Sequence, residues 1–235
     1  MRRRLVDDAA IVEGTIALVG GTGNLGRGLA LRLAAAGRRV RIGSRVAARA
    51  TAAAGEIRAR LTDVARAGTV EGGENAAVVR GAALVFLTVP FAALDAVVGD
   101  LAPLLGDAIV VDTVVPLAMR GDEVDVDPPA EGSVSAHLRA RLPRARIVAA
   151  LKTVPAVVLQ DLAAPLEGDV LLAADDPEAA AAVAALLAEL GDLRGRLVGS
   201  LDRAGLIEAA TAITLNLNRR YGGHAQVRFP GLLRR

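Results

Sequence analysis

The 235-residue chain is long enough to bury a sizeable hydrophobic core, and its formal net charge is only +2. It contains no cysteine, which excludes disulfides, thiolate metal sites and cysteine nucleophiles. The two histidines, His137 and His224, do not form a pair at zinc-ligand spacing, so we also expect no metal site.

Charge and aromatic content argue against nucleic acid as a partner. Arginines and acids are interspersed, and only three Phe, one Tyr and no Trp are available to stack on bases. No apolar run reaches the roughly 18 to 20 uninterrupted residues of a membrane span, and residues 1–14 lack the apolar core of a signal peptide. We therefore expect a cytoplasmic protein that binds neither nucleic acid nor membranes, with residues 1–14 as an N-terminal tail.

Short β-branched runs alternate with alanine- and leucine-rich helical stretches along the chain. The predicted strands are TIALVG, RRVRIGS, ALVFLTV, AIVVDTV and RIVAALK, and helices are predicted at about 25–36, 47–67 and 91–105 between the first four of them. Strands separated by helices of this length predict an α/β fold with a doubly wound parallel sheet and helices on both faces.

The second half of the chain continues this pattern after one interruption. The stretch VPLAMRGDEVDVDPPAEGSVS is rich in acids, Gly and Pro and is predicted to be a surface loop. Strands GDVLLAA and RGRLVGS follow, with a helix between them that Asp176, Pro177 and Glu178 open as an N-cap. A long helix from about 202 to 221 completes the predicted elements.

The first predicted turn carries a glycine motif between a strand and a helix. Its spacing is GxGxxG, in which the glycines permit a tight turn, close approach of a pyrophosphate and close packing of helix on strand. The free N–H groups of the helix N-terminus can then bind the phosphates. The predicted dinucleotide-binding residues are Gly21, Thr22, Gly23, Asn24, Leu25 and Gly26.

The end of the second predicted strand selects between cofactors. NAD and FAD sites usually place an acid there to bind the ribose hydroxyls, whereas this chain has Ser44 and Arg45, with Arg49 one helical turn further on. A hydroxyl and two guanidinium groups can bind a 2′-phosphate through charge-assisted hydrogen bonds. The sequence therefore favours NADP.

Several motifs in the same order resemble one family. TIALVGGTGNLGRGLALRLAAAGRRVRIGSR, ENAAVVRGAALVFLTVPFAAL, IVVDTVVPL, IVAALKTVPA and GLIEAATAITLNLNRRYG together resemble the NADPH-dependent reductases of the deazaflavin coenzyme F420. The resemblance implies a Rossmann domain over residues 15–156. It also implies a smaller C-terminal α/β region, residues 157–235, that helps to form the acceptor site and a homodimer interface.

The resemblance also implies roles for single residues. The NADP pyrophosphate would bind at residues 22–25 and the 2′-phosphate at Ser44, Arg45 and Arg49, while the nicotinamide and its ribose would contact Val89, Val115 and Ala156. Hydride transfer between two rings that carry their own chemistry needs stacking and exclusion of water, so no catalytic acid, base or nucleophile is expected.

One residue departs from the family pattern. Lys152, the only lysine of the chain, stands where the family usually has a histidine. Three interpretations are open. It can bind the deazaflavin acceptor ring, it can mark a different acceptor that needs a proton donor, or it can be a solvated residue without a role.

The sequence leaves three functions open. The first is direct hydride transfer between NADP(H) and coenzyme F420, as the resemblance implies. The second is NADPH-dependent reduction of another small acceptor, such as an imine, a carbonyl or a flavin. The third is a non-catalytic NADP-binding sensor. The amphipathic last helix is compatible with a homodimer in each case.

Overall fold

The computed structural model describes residues 14–232, so the predicted tail, residues 1–14, lies outside the described residues apart from Gly14. These described residues form ten strands. They are β1 (Ile16–Val19), β2 (Val40–Ser44), β3 (Val70–Glu74), β4 (Leu84–Leu87), β5 (Ile109–Asp112), β6 (Leu117–Arg120), β7 (Glu123–Val126), β8 (Arg146–Ala149), β9 (Glu167–Ala174) and β10 (Asp192–Gly199).

Eight α-helices lie within the same described range, and short 3-10 turns precede or follow two of them. The helices are α1 (Asn24–Ala35), α2 (Ala47–Arg60), α3 (Asn75–Val79), α4 (Leu94–Leu101), α5 (Val134–Arg141), α6 (Ala156–Leu159), α7 (Pro177–Ala188) and α8 (Ala204–Tyr221). The 3-10 turns are Phe91–Ala93, Ala102–Leu104 and Leu201–Arg203.

Eight strands form one sheet in the order β10-β9-β8-β5-β4-β1-β2-β3. The six strands from β8 to β3 are parallel to one another, and β4 and β5 near the middle are buried along their whole length. One core cluster includes residues of α1, α2 and α7, and a second includes residues of α3, α4 and α5. Helices therefore cover both faces, which confirms the predicted α/β fold.

The last two strands of the sheet run in the opposite direction. β9 pairs antiparallel with β8 through Ala173 and Ala174, and β10 is parallel to β9. The link from β8 to β9 contains only the four-residue helix α6 in place of a full crossover helix, and the chain turns back at the same edge of the sheet. The sequence predicted a parallel sheet, and the sheet is parallel except at the β8–β9 pair.

The start of β9 extends beyond β8 and is covered by the C-terminal residues. The backbone N–H of Asp169 donates to the Val227 carbonyl (3.0 Å), and the N–H of Phe229 donates to the Asp169 carboxylate (2.6 Å). Arg228 also forms an ion pair with Glu167 at 3.0 Å. This C-terminal strap, residues 225–229, supplies partners to a strand segment that β8 does not reach.

The predicted surface loop is wrong in part, because it contains the exposed hairpin β6–β7. The hairpin turn is Gly121-Asp122, in which Gly121 has a φ of 61°. A Gly-Asp pair between two alternating stretches is a recognised hairpin signal. Asn216 of α8 fixes the hairpin, since its side-chain amide exchanges two 2.8 Å hydrogen bonds with the backbone of Val124.

One boundary and one strand in the first half also differ from the prediction. The helix expected to reach residue 67 ends at Arg60, where the Thr62 hydroxyl donates to the Ala59 carbonyl and closes the last turn. The strand β3 was not predicted, because VEGGE has a single apolar residue. By contrast, the predicted N-cap is confirmed, since Asp176 accepts from the N–H groups of Glu178 and Ala179.

Across residues 14–232, no helix has the length and apolar character needed to span a bilayer. The same part of the chain contains no cluster of three potential metal-ligating side chains.

Candidate active site

The glycine turn joins β1 to α1 by a close approach of two backbone segments. A Cβ on Gly26 would lie 2.4 Å from the Cα of Gly21, and a Cβ on Gly21 would lie 2.8 Å from the Leu18 carbonyl oxygen. Neither position has room for a side chain. These two glycines of the motif are therefore explained by packing alone.

Gly23 differs, because a Cβ there would meet no protein atom within 4 Å. It is the N-cap of α1, has an exposed surface and leaves the first turn of the helix without a side-chain cap. The N–H groups of that turn thus face an open cradle in which an anion can bind. This cradle fits the pyrophosphate of a dinucleotide.

A residue that the sequence analysis missed, Asn75, ties the turn to the neighbouring strands. Its Oδ1 accepts from the Gly20 N–H at 3.2 Å, and it leaves no room for a side chain at Gly43, where a Cβ would lie 2.6 Å from the same oxygen. Asn75 follows β3, so the failure to predict that strand also hid this contact.

The end of β2 places Ser44 and Arg45 on a cavity of about 280 Å³. Ser44 is buried and its Oγ accepts from the Val46 N–H at 3.2 Å, whereas Arg45 and Arg49 are exposed. Neither guanidinium has a protein partner among residues 14–232. Arg49 does not line this cavity, whose other walls come from β3, α3 and α4: Glu74, Asn75, Ala76, Ala96, Val97, Asp100 and Leu101.

The three apolar residues predicted to contact the nicotinamide lie at the same edge of the sheet as the glycine turn. Val89, Val115 and Ala156 follow the carboxyl ends of the adjacent strands β4, β5 and β8, and each is partly exposed. Val89 also contacts the turn, because its Cγ1 lies 2.4 Å from the position of a Cβ on Gly20. The fold thus brings the predicted cofactor residues to one crevice edge.

Ala156 begins α6, and the buried side chain of Arg32 on α1 holds the end of this short helix and the residues that follow it. The guanidinium of Arg32 donates to the carbonyls of Val158 and Leu159 at 3.2 Å each, to that of Ala164 at 2.9 Å and to that of Asp161. Burial lowers the pKa of Arg32 from its ordinary value, although Asp161 opposes this effect. Nothing in the local sequence around Arg32 predicts this role.

Lys152 does not point into the crevice. Its side chain is fully buried, and its ammonium donates to Asp112 Oδ2 at 2.7 Å, to Glu208 Oε1 at 3.1 Å and to the Val114 carbonyl. With three acceptors, its three N–H donors are all engaged. The interpretation of Lys152 as a solvated residue is therefore wrong, and a direct contact with an acceptor ring would require these bonds to break.

Glu208 is the member of this buried group whose carboxylate is hydrogen-bonded at only one of its two oxygens. Its Oε1 accepts from Lys152 and from the Val134 N–H (3.0 Å), whereas its Oε2 is buried and has no hydrogen-bond partner among the described residues. Burial raises the pKa of the Glu208 carboxyl, and Asp112 adds to this effect, while the Lys152 ammonium opposes it. A proton on Glu208 would relieve the excess of two carboxyls over one ammonium.

Known proteins resemble this chain over most of its length. The profile of the family described as NADP oxidoreductase coenzyme F420-dependent matches residues 15–116. A protein of Methanothermobacter thermautotrophicus named F420-dependent NADP reductase is 35% identical over 212 residues, which is 87% of this chain and 89% of that protein. The chain is a member of the F420-dependent NADP reductase family.

Two further relatives agree with this membership. An F420-dependent NADP reductase of Methanocaldococcus jannaschii is 34% identical over 88% of this chain and 93% of its own length. A crystal structure from an Arthrobacter species, provisionally named an F420-dependent NADP reductase, superposes with a TM-score of 0.77 and 27% identity. It covers 92% of this chain and 99% of that one.

A matched pair of glycine variants separates packing from cofactor binding. We expect Gly23→Ala to keep the stability of the wild type but to weaken NADPH binding roughly tenfold or more, because its methyl group enters the open cradle. Gly26→Ala should instead lower the melting temperature, because its methyl group meets the backbone of Gly21. Thermal unfolding without cofactor and fluorescence titration with NADPH measure the two effects. Equal loss of stability in both variants would contradict this division.

The raised pKa of Glu208 predicts a pH-dependent stability. The folded protein holds the proton more tightly than the unfolded chain, so its stability falls as pH rises from about 4.5 through the raised pKa. Glu208→Gln cannot titrate and should therefore gain free energy of unfolding relative to the wild type as pH rises from about 4.5 through the raised pKa of the wild-type carboxyl. Urea unfolding across this pH range measures the difference. The exposed Glu71→Gln serves as control, and a parallel pH trend in that variant would argue against burial as the cause.

Proposed function

We propose that this chain transfers a hydride between NADP(H) and the deazaflavin coenzyme F420. Similarity to curated F420-dependent NADP reductases over 86–88% of the chain carries the proposal. The open cradle at Gly23 and the basic end of β2 support it, since they match the pyrophosphate and the 2′-phosphate of NADP. NADPH supplies the hydride at C4 of its nicotinamide, and the deazaflavin accepts it at C5.

The protein's own contribution is binding, orientation and exclusion of water. The first turn of α1 binds the pyrophosphate, and Ser44 with Arg45 binds the 2′-phosphate, with Arg49 one turn behind. Val89, Val115 and Ala156 offer apolar surface and backbone to the nicotinamide at the crevice edge. Hydride transfer needs no side chain that exchanges protons with either ring at the point of transfer.

The division of labour along the chain is also proposed. Residues 15–156 form the NADP-binding Rossmann part, and residues 157–235 contribute to the acceptor side and to a homodimer interface. The extension of β9 beyond β8 supports this assignment, because the first residues of β9 project past the edge of the sheet at which the crevice lies. A cytoplasmic location agrees with the proposal, since both co-substrates are charged molecules.

A second copy of this chain is the partner that the last helix fits. An apolar stripe on α8, formed by Leu206, Ile213, Leu217 and Tyr221, is 44–76% exposed. Beside it, a cavity of about 590 Å³ is lined by the acidic hairpin tip, Asp122 and Glu123, and by the basic helix end, Arg219 and Arg220. Around a two-fold axis, each acidic tip can face the basic end of the partner, so the surface is self-complementary.

A spectrophotometric assay with matched arginine variants tests the reaction and the cofactor choice. We expect the wild type to oxidise NADPH with coenzyme F420, and NADH and FMN to be poor substitutes. Arg45→Ala should raise the KM for NADPH roughly ten- to hundredfold, as loss of a charge-assisted hydrogen bond costs about 1.5 to 3 kcal/mol. The KM for NADH should stay within about twofold, because NADH lacks the 2′-phosphate.

The control is Arg144→Ala, which removes an exposed arginine just before β8, at the opposite end of that strand from the crevice. It should leave both KM values unchanged. Turnover of NADPH with FMN or with an imine but not with F420 would contradict the proposed acceptor. NADPH binding without turnover of any acceptor would contradict an enzymatic function altogether.

The homodimer is tested by placing a charge on the α8 stripe. Ile213→Arg should convert a dimer to a monomer, because a guanidinium in an apolar interface is left unpaired. Light scattering after gel filtration reads the mass. Leu197→Arg, the same kind of change at a half-exposed position on the edge strand β10, should remain dimeric. If only Leu197→Arg dissociated the dimer, the interface would have to be assigned to β10 instead of α8.

A further inference from the structure

Val114 is held at both of its backbone groups by buried charged side chains. Its N–H donates to Asp112 Oδ1 at 2.9 Å, and its carbonyl accepts from the Lys152 ammonium. The Asp112 carboxylate is itself fixed, because its Oδ2 accepts from the Ser135 hydroxyl at 2.5 Å and from Lys152 at 2.7 Å. The next residue, Val115, lies partly exposed at the crevice edge.

The same ammonium joins elements that come from distant parts of the chain. Glu208 on α8 accepts from Lys152 and also from the N–H of Val134, at the start of α5. The Thr211 hydroxyl, one helical turn along α8, donates to the Lys152 backbone carbonyl at 3.0 Å. Lys152 therefore links the ends of β5 and β8 to α5 and α8, all next to the expected hydride-transfer site.

The geometry explains why this arginine-rich chain has its single lysine here. The three acceptors surround a single nitrogen atom, Nζ of Lys152. An ammonium suits this arrangement because its three N–H donors all come from one atom. A planar guanidinium is larger and aims its donors in one plane, so it cannot replace the ammonium without displacing these acceptors. The site demands lysine chemistry even though no side-chain atom of Lys152 contacts solvent.

We propose that Lys152 is a positioning residue for hydride transfer, which fixes the Val114 carbonyl and thereby the segment 113–116 against which the nicotinamide binds. The inference rests on the proposed function and goes beyond it. It assigns to Lys152 a role in the alignment of the two rings, not in the binding of either one. Burial of an ion pair contributes little net stability on average, so stability alone does not account for this cluster.

The primary test compares two variants, Lys152→Met and the double variant Lys152→Met with Glu208→Gln. The single variant leaves two buried carboxyls without their cation and can fail to fold. With both carboxyls ionised, Lys152, Asp112 and Glu208 carry a formal charge of −1 in the wild type. The double variant keeps this charge, because one ammonium and one carboxylate are removed together. Both variants leave the Val114 carbonyl without its donor.

We expect the folded double variant to lose at least about tenfold in kcat, since small misplacements of reacting rings are costly. The Kd for NADPH should stay within about threefold, and the kinetic isotope effect on kcat with C4-deuterated NADPH should rise as hydride transfer becomes slower. Without any cofactor, amide hydrogen exchange of residues 113–115 should become faster than in the wild type.

Chemical rescue gives an independent arm, because the chain has no cysteine of its own. Lys152→Cys, alkylated with 2-bromoethylamine in the unfolded state and refolded, regains an ammonium at nearly the original distance. It should recover kcat and slow exchange, whereas the same variant alkylated with a neutral reagent should not.

Two results would overturn the positioning role. One is a folded double variant with wild-type kcat and only a lower melting temperature, and the other is unchanged hydrogen exchange at residues 113–115. A wild type without activity toward F420 would overturn the proposed function instead. The exchange and rescue measurements would then still decide whether Lys152 fixes the segment.

Discussion

The close backbone contact between Gly21 and Gly26 is the constraint on which the cofactor edge depends. With no side chain at either position, α1 begins directly against the end of β1, and its first turn projects over the edge at which β4, β5 and β8 also end. The open first turn of α1, the basic end of β2 and the apolar residues proposed to contact the nicotinamide therefore share one edge. A side chain at either glycine would push α1 away from that edge.

Charge is distributed along this edge according to burial. The exposed guanidinium groups of Arg45 and Arg49 are without protein partners in the described part of the chain, so they can bind an anionic cofactor. The buried Lys152 and Arg32 instead saturate backbone carbonyls and carboxylates below the crevice. Exposed cationic side chains are thus available to an anionic ligand, whereas the buried ones hold loops in place.

Local sequence patterns predicted what local physics determines. The apolar runs of β4 and β5, the cap at Asp176 and the glycine turn all depend on neighbours in sequence, and each is present. Strand β3 is an edge strand whose Gly72 packs on the backbone of Ala50, so it lacks an apolar pattern. The contact between Lys152 and Glu208 joins residues 56 positions apart and leaves no local signal.

The C-terminal strap has a consequence for the solubility of the protein. Because β9 runs past β8, its first residues would present unpaired backbone groups if residues 225–229 were removed, and exposed strand edges of this kind pair with other chains. The C-terminal strap therefore covers this part of the sheet edge. A fusion partner that displaced the strap would expose the start of β9 and would therefore promote aggregation.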